Sequence, residues 1–148
     1  MSSGHLCRFD GRWQFVSKVN GKTNLPEDGA FVGSRIGSET TRETAARTCF
    51  EKGGIKPEDV LQVYKTLETG RKHSYTLYIC EVKKKPVAKD EYTKIVEYDD
   101  FFVPYELGTL HPSLRYMKGL CMTMSAIQRE FPSHIPVDPR FIGFEYNY

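Results

Sequence analysis

Across residues 13–19, Trp-Gln-Phe-Val-Ser-Lys-Val, apolar and polar positions partly alternate, and Asn20-Gly21 follows. Alternation closed by Asn-Gly predicts a strand and then a hairpin turn. Residues 24–37 are punctuated by Pro26, Gly29, Gly33 and Gly37 around a short apolar Ala30-Phe31-Val32, and read as a loop. The period changes after that. Ala45, Ala46, Cys49 and Phe50 recur at helical spacing and predict a helix over residues 38–52 with those four on its buried face. Thr40 and Glu43 have the spacing of a capping box, Gly53-Gly54 supplies a left-handed residue for the end, and Pro57 stops any continuation. Residues 60–67 and 74–82 are rich in β-formers and predict two strands around a turn at 68–72. A charged loop over 83–90 precedes strand-like residues 92–103. Pro104 opens a short helix to residue 110, and Pro112 a longer one to about residue 129. Residues 131–148 hold three prolines and five aromatics, too apolar for a free tail, and are expected to pack back as an extension of the domain.

A strand, a loop, a helix, several strands and C-terminal helices describe an α/β or α+β sandwich around a mixed sheet. At 148 residues the chain is expected to form one domain, 1–148, with a sizeable core. Lys and Arg sum to 21 and Asp and Glu to 19, and this near balance argues against a general nucleic-acid coat or a polybasic membrane anchor. No basic segment followed by an apolar stretch opens the chain, and no apolar run is long enough for a bilayer. The expectation is a cytoplasmic or nuclear protein without a membrane role. Cys7, Cys49, Cys80 and Cys121 are widely spaced with no C-x-x-C pair, which predicts buried thiols rather than a zinc site or a disulfide framework.

Most short matches to catalytic motifs fail. Gly21-Lys22-Thr23 would end a phosphate-binding loop only with a glycine five residues earlier, where Val16 stands. His5, His73, His111 and His134 are scattered and point to no nucleophilic arrangement. The informative segment is the helix over 38–52. Glu39, Glu43, Arg47 and Glu51 follow one another at intervals of four and would form one stripe, on most helices a salt-bridged solvent face.

Here the stripe sits in a longer pattern. Gly33-x5-Glu39-x7-Arg47-Thr48-Cys49-Phe50-Glu51-Lys52-Gly53-Gly54-Ile55 resembles the Nudix box, G-x5-E-x7-R-E-U-x-E-E-x-G-U with U aliphatic. Gly33, Glu39, Arg47, Glu51, Gly54 and Ile55 match, and Cys49 stands in for a small aliphatic. Residues 100–107, Asp-Phe-Phe-Val-Pro-Tyr-Glu-Leu, are similar to the strand and short helix late in such domains. In length and element order the chain is nearest to the small diphosphoinositol polyphosphate phosphohydrolases. Before the box two alignments stay open: Trp13-Gln14-Phe15 as the tryptophan strand followed by a long insertion, or residues 13–19 as the first hairpin strand.

The resemblance implies a Nudix-like α/β/α sandwich with Gly33, Glu39, Glu43, Arg47 and Gly54 as framework. It also implies Mg²⁺ ligands at positions 48, 51 and 52. Two of those positions carry Thr48 and Lys52, leaving Glu51 as the one carboxylate and the candidate catalytic residue. Formal charge there falls from −3 to 0, and an ammonium at the ion's edge repels a metal. The expectation is a degenerate domain that binds a phosphorylated ligand, of nucleoside or inositol diphosphate type, or a protein partner, with weak or no hydrolysis. Lys52, Lys18, Lys22 and Arg35 are the candidate ligand-binding residues. The alternative is an active Mg²⁺-dependent diphosphate hydrolase recruiting Glu43, Glu97, Asp99 or Asp100. A second alternative is an α+β interaction module outside this family. Nucleic acid remains open as a partner, with no specific motif for it.

Overall fold

The computed structural model describes residues 1–69, 75–115, 117 and 119–130. The expected turn at 68–72 lies partly outside these, and His73, His134 and the aromatic segment 131–148 wholly so.

Among the described residues, seven strands form one mixed sheet: β1 (Ser2–Phe9), β2 (Arg12–Val19), β3 (Pro26–Gly29), β4 (Phe31–Ser34), β5 (Val60–Thr69), β6 (Tyr75–Val82) and β7 (Thr93–Tyr98). Four helices accompany them: α1 (Thr41–Gly53), α2 (Phe102–Leu107), α3 (Pro112–Arg115) and α4 (Leu120–Glu130). The path through the sheet runs β3-β2-β1-β6-β5. β1 lies parallel to β6 on one side, and on the other its two halves separate, residues 2–5 pairing with β4 and 7–9 with β2. β2 splits likewise: β3 pairs its later residues while β7 runs along its other edge.

α1 covers one face of this sheet and α3 and α4 the other. Beneath α1 lie Cys7, Phe31, Ala45, Cys49, Ile55, Val63, Tyr78, Cys80 and Val82. The opposite core is larger and built on Leu6, Trp13, Phe15, Leu77, Ile79, Phe101, Leu114, Leu120, Met124 and Ile127. Cys7, Cys49 and Cys80 are buried free thiols, as expected, with the Cys7 sulfur 3.9 Å from each of the others. No helix among the described residues is long and apolar enough to cross a membrane.

Several elements differ from their sequence reading. The stretch read as a loop over 24–37 contains two strands, because β3 and β4 are defined by what they pair with rather than by their own composition. Residues 13–19 belong to the second strand, not the first. β1 precedes them through a turn at Asp10-Gly11, where both residues have positive φ. On α1 the buried residues are Thr44, Ala45, Thr48, Cys49 and Gly53; Ala46 is half-buried and Phe50 is 47% exposed. The strand-like stretch 92–103 becomes β7 followed by the first turn of α2. The single helix expected from Pro112 is two, α3 and α4, with Gly119 at φ 78° immediately before α4.

Candidate functional site at the ends of helix α1

The Gly33–Ile55 segment forms a strand, a loop and a helix. Thr40 is the N-cap of α1. Its hydroxyl accepts from the Glu43 N–H at 3.1 Å, and the Glu43 carboxylate accepts from the Thr40 N–H at 3.0 Å. Both members of the capping box are present, so two otherwise unpaired amides are satisfied. At the far end Gly54 takes φ 70° and returns its N–H to the Phe50 carbonyl at 2.8 Å.

Arg47 ties the loop to the helix. Its Nε and Nη2 donate to the two oxygens of Glu39 at 2.8 and 3.0 Å, and Nη2 also reaches the Ser34 carbonyl at 2.7 Å. Nη1 donates to Glu51 at 3.1 Å. The Glu39 carboxylate accepts further bonds from the Ile36 N–H and the Thr44 hydroxyl. Arg47, then the Ile36 amide, hold the Glu39 carboxyl down at about 2, and Glu39 in turn raises Arg47. Of the inward partners expected for Arg47, loop carbonyls or Glu43, it bonds the Ser34 carbonyl and not Glu43. Glu43 is occupied by the cap, and Glu39 takes that role from the loop.

Gly33 is where β4 meets α1. A Cβ there would stand 2.4 Å from the Thr48 Cγ2, so only glycine lets strand and helix approach this closely. Thr48 is buried and gives its hydroxyl back to the Ala45 carbonyl at 3.2 Å. Glu51 is exposed and bonded to Arg47. The Lys52 ammonium donates to the Val32 carbonyl on β4. Burial and, next, the neighbouring Lys18 lower its pKa below the ordinary lysine value.

Beside that ammonium opens a cavity of about 600 Å³. β2, β3 and the turn between them supply one wall with Lys18, Glu27 and Lys22, the end of α1 supplies Lys52, and Asp90 and His111 contribute from later loops. Three of the four residues expected to bind ligand, Lys18, Lys22 and Lys52, therefore line one space. Arg35 does not line it; its Nε donates to the Gly37 carbonyl at 2.9 Å within the loop before α1. No carboxylate among the described residues lies within ion-pair reach of these three lysines, whereas Lys83 and Lys84 lie near Asp59 and Lys85 near Glu97. The carboxylates considered as recruits have other partners. Glu97 accepts from Gln14 and Arg12, Asp99 pairs with Arg12 at 2.9 Å, and Asp100 accepts the Phe102 N–H. Sequence reasoning missed Glu27, Asp90 and His111, since only the fold brings three distant segments to one cavity.

No family model matches the chain, and no curated protein matches it in sequence. Solved structures do match it in shape. An Ap4A hydrolase from C. elegans superposes with a TM-score of 0.63 at 11% identity, over 88% of this chain and 100% of its own. A Nudix hydrolase from M. smegmatis, RenU, gives 0.63 at 17% identity, over 88% and 86%. The Bacillus subtilis pyrophosphohydrolase BsRppH gives 0.60 at 15%, over 89% and 83%. These likenesses span most of every chain compared, and together with the sandwich built around the Gly33–Ile55 segment they give this protein the Nudix fold.

Proposed function

We propose that this Nudix-fold domain binds a phosphorylated small molecule in the cavity beside Lys52 and hydrolyses it weakly or not at all. The observation that carries the reading is the Lys52 ammonium itself, tethered to the Val32 carbonyl and sharing a cavity with Lys18 and Lys22. Solved neighbours include an Ap4A hydrolase and a pyrophosphohydrolase, which supports a phosphorylated ligand.

The donor set supports the second half of the reading. Mg²⁺ requires several hard oxygens in near-octahedral geometry. At the three ligand positions of the box, Thr48 is buried with its hydroxyl bonded inside the helix, Glu51 is held by Arg47, and Lys52 is a cation. These residues do not fit Mg²⁺, and among the described residues no three His, Cys, Asp or Glu side chains converge to hold a metal. An ammonium supplies part of what a metal would, a fixed positive charge with three donors.

Calorimetric titration of pyrophosphate and ADP with a chelator present tests the reading. Binding is expected without divalent metal, weakening with added salt, and weakening about tenfold in Lys52→Ala, which corresponds to about 1.4 kcal/mol. Binding that vanishes on chelation, or that survives Lys52→Ala unchanged, overturns it. Hydrolysis of Ap4A by the unmutated protein, abolished by Glu51→Gln, would instead establish the enzyme reading.

A further inference from the structure

Three lysines explain why an anion would enter the cavity, but they do not explain its acids. Glu27 and Asp90 line the same space as Lys18, Lys22 and Lys52. A carboxylate a few ångströms from a bound phosphate repels it, so a site for a bare anion gains nothing from two of them. Neither forms an ion pair among the described residues, although Asp90 is near enough to Lys52 to favour its ammonium. One Glu27 oxygen accepts from the Asn20 side-chain amide at 3.2 Å, and one Asp90 oxygen accepts the Tyr92 N–H at 2.8 Å. The second oxygen of each has no partner among the described residues. An ionised carboxylate is acceptor-only, and what it reads best is a group rich in O–H donors.

His111 adds a donor. Its Nδ1 lies 2.8 Å from the Ser113 hydroxyl and accepts the Ser113 N–H at 3.1 Å. With Nδ1 accepting, the neutral ring carries its hydrogen on Nε2, and the main chain fixes the tautomer. Among the described residues no Phe, Tyr or Trp lines the cavity. Among the described residues, then, its walls offer a nucleobase no Phe, Tyr or Trp on which to stack. The volume of about 600 Å³ lies within the ordinary range for small-molecule sites.

We infer that the cavity takes a phosphorylated sugar or polyol, its phosphate held by Lys18, Lys22 and Lys52 and its hydroxyls read by Glu27 and Asp90. The inference rests on the anion-binding reading above and goes further by naming what the phosphate is attached to. Two sources share this chemistry, a sugar phosphate and a cyclitol phosphate.

The test is calorimetry on the whole chain with a chelator present, using glucose 6-phosphate, myo-inositol 1-phosphate, inorganic phosphate, pyrophosphate and ADP. Glu27→Gln and Asp90→Asn are the variants; both keep the oxygen that accepts the bond within the fold. At least one of the two hydroxylated phosphates is expected to bind about tenfold more tightly than inorganic phosphate, and which one identifies the source. The variants should weaken that ligand about five- to tenfold while leaving pyrophosphate unchanged or tighter, because a repelling charge is gone. This opposite response is the signature. If pyrophosphate binds but neither hydroxylated phosphate exceeds inorganic phosphate, or if the variants move both ligand types alike, the inference falls and the anion-binding reading stands. If ADP binds most tightly of all, a base is being read and the inference falls. If no probe binds, both readings fall together.

Discussion

The two ends of helix α1 contrast. At its N-terminal end Thr40 and Glu43 cap each other and the loop residue Glu39 receives Arg47 through two bonds, and further along Gly33 lets β4 press against Thr48. At its C-terminal end Gly54 closes the turn in the left-handed conformation and Lys52 points its ammonium at a β4 carbonyl. A loop that must be strapped to a helix needs particular bonds, and those survive whatever is done at the site. On the reading proposed above, the parts of this segment that build the fold are separable from the parts that would hold a metal: Gly33, Glu39, Arg47 and Gly54 are in place, while positions 48 and 52 carry a threonine and a lysine.

The largest expected effect breaks the contrast at its structural end. Gly33 is not in the left-handed region, so replacing it adds no backbone strain and the cost is steric alone. Gly33→Ala places a methyl 2.4 Å from the Thr48 Cγ2, which belongs to a buried β-branched side chain with little freedom in a helix. Overpacking of this kind costs about 1–3 kcal/mol. Chemical denaturation should show that loss, and Thr48→Ser on the same background should recover most of it by removing the methyl. If Thr48→Ser recovers nothing, the strand and helix do not meet through this pair.

Next in size is the arginine clasp. Arg47→Met removes charged bonds to Glu39 and to the Ser34 carbonyl, at a partly exposed site, and should cost about 1–2 kcal/mol at neutral pH. The loss has a pH signature. Glu39 is depressed from 4.5 to about 2, so its ion pair contributes stability that is fully present above 4.5 and is lost as pH falls toward 2. The stability of the unmutated protein should therefore decline over that window, and Arg47→Met should flatten the decline. Parallel acid-unfolding curves for the two proteins would show that Arg47 is not what holds Glu39 ionised.

How much of this was legible in the chain follows the same division. α1 could be placed because its signals are local: Thr40 and Glu43 three residues apart, and Gly54 after the last turn. Its buried face could not. Phe50 is the most apolar side chain on the helix, yet the face turned inward is chosen by β1 and β4, which receive Thr44, Ala45, Thr48 and Cys49. β1 itself carried little strand signal, because half its residues are polar. It is central because β2, β4 and β6 all pair with it, and beneath α1 the Ser3 hydroxyl donates to the Thr41 carbonyl while a His5 ring nitrogen lies 3.1 Å from the Ala45 carbonyl. Lys18, Lys22 and Lys52 could be singled out from the sequence as candidate cations, but the pairing of β2 with β3 and the crossing of α1 are what bring them to one cavity. Arg35 looked equivalent in sequence and is turned to its own loop.

The smallest effect on stability is expected at the C-terminal end of α1. Lys52 stands in the last turn of α1, where a cation complements the helix dipole by about 0.3–1 kcal/mol. A lysine with only that role predicts a loss of this size in Lys52→Ala and no change in anion affinity. A lysine that holds an anion predicts the same small loss together with weaker binding, so stability and affinity must be measured on one preparation. The pH dependence gives a second handle. Burial and the nearby Lys18 lower the Lys52 pKa, so its ammonium is surrendered at a lower pH than that of an ordinary lysine. Its charged form is disfavoured on folding, so this group's contribution to stability improves as pH rises through its folded pKa toward 10.5. Pyrophosphate affinity should run the opposite way, falling over that same interval as the positive charge is lost, and Lys52→Ala should remove the part of that fall that begins earliest. Affinity that stays level until every lysine titrates at its usual pH would show that Lys52 belongs to the helix and not to the site.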